Sequence, residues 1–337
     1  IILADLVLGF FFIPKEVKES ARINNINCYY NHGKNKNEEA DLVFANLPYH
    51  IYTNSMGMVD SRIRDIPITS KKKRIMFIGD SFTEGVGFPY YKTFPGIIES
   101  RVDTTKIEIL NAGVASFSPK LYYLRTKYLI EEEKLKVDEL FCFIDDTDIG
   151  DELIYEDFQS KSIDWKERAK MKIVRFLRRN SAIASIYVNL AESKYKSKYE
   201  VENSFYWTKT DDRFIERCPS CKKIRADWAG GYLLDSCVSR GINLAYQNMT
   251  LLHELCEVNK IKLTIVVYPP AHKIHRSIEN LKLSYGIWEQ FANNSNIPFI
   301  NLYPVFITNN EMTNYQSLRK YYILGDTHWN EAGHQMV

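Results

Sequence analysis

Six cysteines in 337 residues are too few for a disulfide scaffold. Charge of either sign is not in excess: 44 Lys and Arg stand against 42 Asp and Glu. No overall field therefore exists to hold a phosphate backbone, and nucleic acid is not an expected partner. Internal repeats and low-complexity tracts are absent. Long apolar runs are scarce as well. The mostly apolar stretch 1–13 is too short to cross a bilayer, which takes about 20 residues. It suits the end of a membrane anchor or signal anchor at 1–22, since a polar run (Lys15 to Arg22) follows at once; the competing reading is a helix packed on the domain. Cys218-Pro219-Ser220-Cys221 is the one close cysteine pair, and further ligands at metal spacing are missing. A loop disulfide in an exported domain is the leading reading, two free thiols the other. No metal or cofactor is expected.

What is present is the composition of an ordered globular chain, 45% hydrophobic and 26% charged, with 22 Tyr and 18 Phe. Five β-rich apolar runs, at 74–79, 107–111, 139–144, 263–268 and 298–302, alternate with helical patterns near 93–101, 119–133, 243–259 and 277–293. Alternation of this kind predicts an α/β fold, a three-layer α/β/α arrangement around a five-stranded parallel sheet. Residues 150–241 break the rhythm and read as an inserted cap beside the carboxyl ends of the strands. The expected division is thus 23–73 as an N-terminal extension, 74–149 with 242–337 as the α/β domain, and 150–241 as the cap. Two basic stretches, Lys71 to Arg74 and Lys166 to Arg179, read first as solvated faces, with lipid headgroups or an acidic glycan as the minority reading. Cys142 and Cys256 sit in apolar patterns and read as buried thiols.

The first domain strand runs into Gly79-Asp80-Ser81-Phe82-Thr83-Glu84-Gly85. A serine directly after a buried strand, between glycines, stands at the carboxyl edge of the sheet near a helix start, where amides can face an oxyanion. Near the other end, Gly325-Asp326-Thr327-His328 places a carboxylate two residues before a histidine. On an extended segment both side chains point the same way, so one segment supplies the base and the group that orients it. Each segment alone has an ordinary explanation, a capped strand-to-helix turn or a surface loop. His334, in the helical pattern that follows, reads as structural.

Together the two segments resemble the SGNH (GDSL-type) hydrolase superfamily, whose fold is flavodoxin-like. Its first block matches Gly79-Asp80-Ser81 and its last matches Asp326 and His328. The resemblance implies Ser81 as nucleophile, His328 as base and Asp326 as its orienter. Its second block matches Asn111-Ala112-Gly113-Val114 and its third Asp145-Asp146-Thr147-Asp148. The implied oxyanion hole is Ser81, Gly113 and Thr147, the last standing where the superfamily has asparagine. An ionised Asp145 or Asp146 cannot donate and would repel an oxyanion. The D-x-H spacing and Asn54-Ser55-Met56-Gly57 are similar to the envelope branch that includes the alginate O-acetylation proteins. Secondary candidates are Asp80, Asp146, Asp148 and His272, with His275 near the last.

The functional expectation is an extracytoplasmic domain of the cell envelope, membrane-attached through its N-terminus, that hydrolyses or transfers an acyl group, acetyl above all, on an envelope polysaccharide. Its partner would be an acylated carbohydrate or another ester. The rivals are an inactive glycan-binding or assembly protein on the same scaffold, suggested by the missing asparagine, and a lipid or small-ester esterase.

Overall fold

The computed structural model describes residues 2–161, 165–184, 236–274, 278–307 and 314–337. Two helices come first, α1 (Ile2–Phe12) and α2 (Lys15–Ile23), followed by a small hairpin of β1 (Asn24–Asn27) and β2 (Asn31–Lys34). Strands β3 (Glu39–Phe44), β4 (Leu47–Thr53) and β5 (Val59–Asp60) complete the N-terminal part. The α/β portion begins with β6 (Lys73–Ile78), α3 (Ser81–Glu84), α4 (Phe94–Arg101), β7 (Ile107–Asn111) and α5 (Pro119–Lys127). It continues through β8 (Glu139–Ile144), α6 (Asp148–Ile154) and α7 (Trp165–Asn180). Beyond residue 235 come α8 (Ser236–Val258), β9 (Lys262–Val267), α9 (Ile278–Asn294), β10 (Phe299–Asn301), α10 (Tyr303–Ile307), α11 (Asn314–Tyr321) and α12 (Glu331–His334).

The five expected strands form the parallel part of the sheet, in the order β7-β6-β8-β9-β10. Their residues alternate between two buried clusters. Met76, Ile78, Cys142, Ile144, Ile265 and Val267 face helices α5, α8 and α9, whereas Phe77, Phe143 and Val266 face α4, α10 and α11. Burial on both faces is why these strands read as unbroken apolar runs. Cys142 and Cys256 are both buried, as their patterns predict.

Residues 23–73 add more than an extension. Strands β5, β4 and β3 continue the sheet beyond β7, all antiparallel, so that it has eight strands. They escape a sequence reading because one is two residues long and the others alternate without a buried outer face. This region is bolted to the α/β portion by buried charge. Lys34 on β2 pairs with Glu84 on α3 at 2.8 Å, both nearly inaccessible. Arg125 on α5 donates to the Met56 and Gly57 carbonyls and lies over the Tyr30 ring. One charge expectation needs correcting: Arg74 is not on a solvated face but is 1% exposed, bonded to Glu108 and to the Pro67 and Ile68 carbonyls. Its position inside a strand end, beside an acidic neighbour on β7, draws it inward.

Of the proposed cap, α6 and α7 lie in the described residues, as does the start of α8 before residue 241. Cys218 and Cys221 lie outside them. Among the described residues no helix is long and apolar enough to cross a membrane.

Replacing Lys34 by Met should strand Glu84 as a buried charge, keeping only its bond from the Ala115 amide. A loss of about 3–5 kcal/mol in urea unfolding is expected, the scale for breaking one side of a buried pair. A loss under about 1 kcal/mol would show that the pair is solvated in solution.

Candidate active site

The serine turn is shaped by what cannot fit there. Asp80 caps α3, accepting the Phe82 amide at 2.9 Å, and Gly85 ends that turn at φ +81°, in the left-handed region. A Cβ on Gly79 would lie 2.2 Å from Thr83 Oγ1, and one on Gly113 would lie 2.6 Å from the Glu84 amide nitrogen. Both positions must be glycine for the end of β6 to turn into α3 against the end of β7. Ser81 then opens α3, where a helix amide has no acceptor within the helix.

The histidine loop is held by different means. An antiparallel bridge joins Tyr322 to Trp329, and the Ile323 amide donates to the His328 carbonyl at 2.9 Å. Gly325 turns the chain between them at φ +78°. Trp329 is fully buried, stacked on Phe306 and in contact with Phe82 and Tyr268. Asn330 caps α12 and ties the loop to α11 through the Lys320 carbonyl. The aromatic cluster thus presses the loop against the serine turn.

In that position Ser81 Oγ lies 2.7 Å from His328 Nε2, and His328 Nδ1 lies 2.5 Å from Asp326 Oδ1. A carboxylate on Nδ1 keeps the proton there and leaves Nε2 free to accept from the serine hydroxyl. Asp326 and His328 meet for another reason than an extended segment. The chain turns between them, and the same Asp326 oxygen accepts the His328 backbone amide at 3.0 Å. The imidazole is also held between two rings, Phe82 at 4.8 Å and Phe44 edge-on at 5.0 Å. Phe44 comes from the distant N-terminal part. Ala45 and Asn46, at φ +47° and +65°, form the two-residue turn between β3 and β4 that carries it there. Nothing in the sequence around residue 44 signals this role.

The other expected donors are engaged elsewhere. The Gly113 amide donates to Asn111 Oδ1 at 3.1 Å, and the Thr147 hydroxyl donates to Asp145 Oδ1 at 2.6 Å. Asp146 forms a fully buried ion pair with Lys273 at 2.7 Å. This pair locks the loop after β8 to the turn 271–273, and Lys273 was not among the sequence candidates. The side chain of His272 and all of His275 lie outside the described residues. His334 is buried, and desolvation holds its pKa down to about 3, with the charge of His328 a further cause. Its Nδ1 accepts the Phe94 amide, so it is neutral and structural, as expected.

Behind the serine sit three buried carboxyls, Asp80, Asp145 and Asp148, whose nearest oxygens lie within 4.8 Å of one another. Burial pushes all three above the usual carboxylate range, and Asp145 and Asp148 are pushed well above it, aided by neighbouring acidic charge. Tyr268 donates to Asp80 at 2.8 Å and Tyr122 to Asp148 at 2.9 Å. The spacing is that of a cation site. The tyrosine and amide donors already occupy oxygens of Asp80 and Asp148, however. Asp145 Oδ2 is buried without a hydrogen-bond partner among the described residues. Asp80 Oδ2 lies 3.5 Å from Ser81 Oγ, so the trio adjoins the serine directly.

No protein-family model matches the chain, and neither does any curated protein. Among solved structures it is similar to a GDSL-like lipase from Bacteroides thetaiotaomicron VPI-5482, with 15% identity and a TM-score of 0.40, over 80% of this chain and 87% of that one. It is also similar to a member of the lipolytic protein G-D-S-L family from Veillonella parvula DSM 2008, with 12% identity and a TM-score of 0.39, over 78% and 93%. An acetyl xylan esterase is a third, with 12% identity and a TM-score of 0.41, over 78% and 94%. At identities this low the chemistry has to be read from the site itself.

The carboxyl trio has a sign that can be measured. An Asp with a raised folded pKa binds its proton more tightly when folded, so stability is lost as pH rises from the unfolded value through the folded one. Asp145→Asn keeps an acceptor for Thr147 and places a neutral donor where Oδ2 lacks a partner. Its melting temperature should fall less than that of the wild type between about pH 5 and about pH 8, the range above the ordinary Asp pKa. Parallel curves would show that Asp145 is already ionised at pH 5.

Proposed function

We propose that this protein is a serine-dependent acyl-ester hydrolase or O-acyltransferase. The observation that carries the reading is the unbroken chain from Ser81 Oγ through His328 to Asp326, with both contacts at hydrogen-bond distance. Serine is a weak nucleophile until a neighbouring base takes its proton, and this geometry supplies the base in its accepting tautomer. Ser81 Oγ attacks the acyl carbonyl while its proton passes to His328 Nε2. Asp326 stabilises the imidazolium that forms. The proton then goes to the departing alkoxide, leaving an acyl group on Ser81. Water or a sugar hydroxyl gives its proton to the same nitrogen, attacks the acyl group and restores the serine.

The substrate we assign is an acetylated polysaccharide of the cell envelope, with the protein outside the cytoplasm and attached to a membrane through its N-terminal region. This part of the proposal is supported by the D-x-H spacing of the last block, by Asn54-Ser55-Met56-Gly57 and by the apolar residues 1–13. A second reading has a specific observation behind it. With the Gly113 amide and the Thr147 hydroxyl engaged inside the protein, the site has few donors ready for an oxyanion. The same scaffold would then bind a glycan without turnover.

A small activated acetyl ester separates the two, because it bypasses acceptor and glycan contacts. The full chain should hydrolyse it and should be labelled by a fluorophosphonate at Ser81. Ser81→Ala should abolish labelling, and His328→Ala should reduce turnover by about 10⁴-fold or more, since members of such a unit fail together. Asp326→Asn should retain more activity than His328→Ala. Absence of both labelling and turnover in folded wild type, across about pH 6–9 where histidine loses its proton, would leave the glycan-binding reading.

A further inference from the structure

The outer faces of α1 and α7, we infer, form one docking surface for an anionic lipid bilayer. This deepens the membrane attachment proposed above and rests on it, but replaces a single N-terminal tether by a composite face. Helix α1 is seated on the end of α7. A Cβ on Gly9 would lie 1.8 Å from the Asn180 carbonyl oxygen, and Asp5 Oδ1 accepts the Ile183 amide at 2.9 Å. That crossing turns the apolar end of α1 outward: Phe10, Phe11 and Phe12 are each 72–74% exposed, while Ile13 beyond them is buried.

Helix α7 continues the surface. Trp165, Ile173, Phe176 and Leu177 are all exposed and, at 3.6 residues per turn, fall with Ala169 within an arc of about 120°, which also includes Lys166 and Asn180. Exposed Lys172 and Arg179 border one edge of that arc and Lys170 the other. From Trp165 to Asn180 the sequence carries seven Lys and Arg against one Glu, Glu167, whereas the chain as a whole is close to neutral. Helix α7 also packs against α2 and β1.

An apolar arc alone would leave the partner open. The charge decides it. A protein groove large enough for this arc would have to offer an acidic rim on both sides, whereas the surface of an anionic bilayer presents acyl chains below and phosphate charge all around. Cations at the edges of an apolar arc can extend to headgroups while the rings and aliphatic chains enter the interface. Exposed Trp165 with Lys166 beside its ring is the side-chain pairing that such an interface favours.

Flotation of the full chain with phosphatidylcholine vesicles containing or lacking phosphatidylglycerol tests this. Binding should be strong with the anionic lipid, weak without it, and reduced at least tenfold by raising salt from about 0.1 to about 0.5 M. Ile173→Ser with Phe176→Ser, and separately Lys170→Glu with Lys172→Glu, should each weaken it tenfold or more. All these residues are exposed, and circular dichroism with the activated-ester assay should show folding and activity unchanged. Ser81→Ala should bind like wild type, which separates this outcome from failure of the catalytic reading. Should the α7 variants bind as wild type while Phe11→Ser with Phe12→Ser does not, the composite face is overturned and attachment through α1 stands. No binding by wild type overturns both. A dimer in sedimentation equilibrium that the α7 apolar variant dissociates would assign the face to a second copy instead.

Discussion

Backbone proximity at the carboxyl ends of β6 and β7 governs the rest of the site. The turn that presents Ser81 folds so tightly onto Thr83, and lies so close to the loop after β7, that Gly79 and Gly113 have no room for a Cβ. Because the turn is pinned there, the serine hydroxyl has one place to be, and the histidine loop can be brought to it as a separate piece. That loop carries its own order: a bridge, a left-handed glycine and a buried tryptophan. Two rigid parts packed through aromatic contacts set the 2.7 Å contact more firmly than one flexible loop would.

Carboxyls close behind Ser81 complicate this picture. Three ionised acids this close to Ser81 would oppose the oxyanion that the proposed reaction forms there. Burial raises the pKa of all three, and for Asp145 and Asp148 neighbouring acidic charge raises it further, which favours their protonated forms. Tyr122 and Tyr268 hold the array in place from the helix layer and the end of β9.

The N-terminal part has a double relation to this site. Lys34 pairs with Glu84 on α3, and the β3–β4 turn lays Phe44 against the His328 imidazole. Residues 23–73 are therefore built into the active-site region and are more than a connection between α1 and the α/β portion. Since β1 packs against α7, the same segment links the site to the proposed lipid-facing surface.

The sequence by itself determined the five parallel strands, the helices between them, and the three residues that meet at the site. Each of these is written locally: apolar runs buried on both faces, a Gly-flanked serine after a strand, a carboxylate two residues from a histidine. Tertiary structure alone decided the three antiparallel strands, whose burial depends on partners far along the chain. It alone decided that Asp326 and His328 meet through a turn, that Arg74 lies inside, and that the Gly113 and Thr147 donors are occupied. Phe44, Lys34 and Lys273 belong to the same class. A single ring or charge has no periodicity of its own, so its role is set by the neighbour that the fold brings to it.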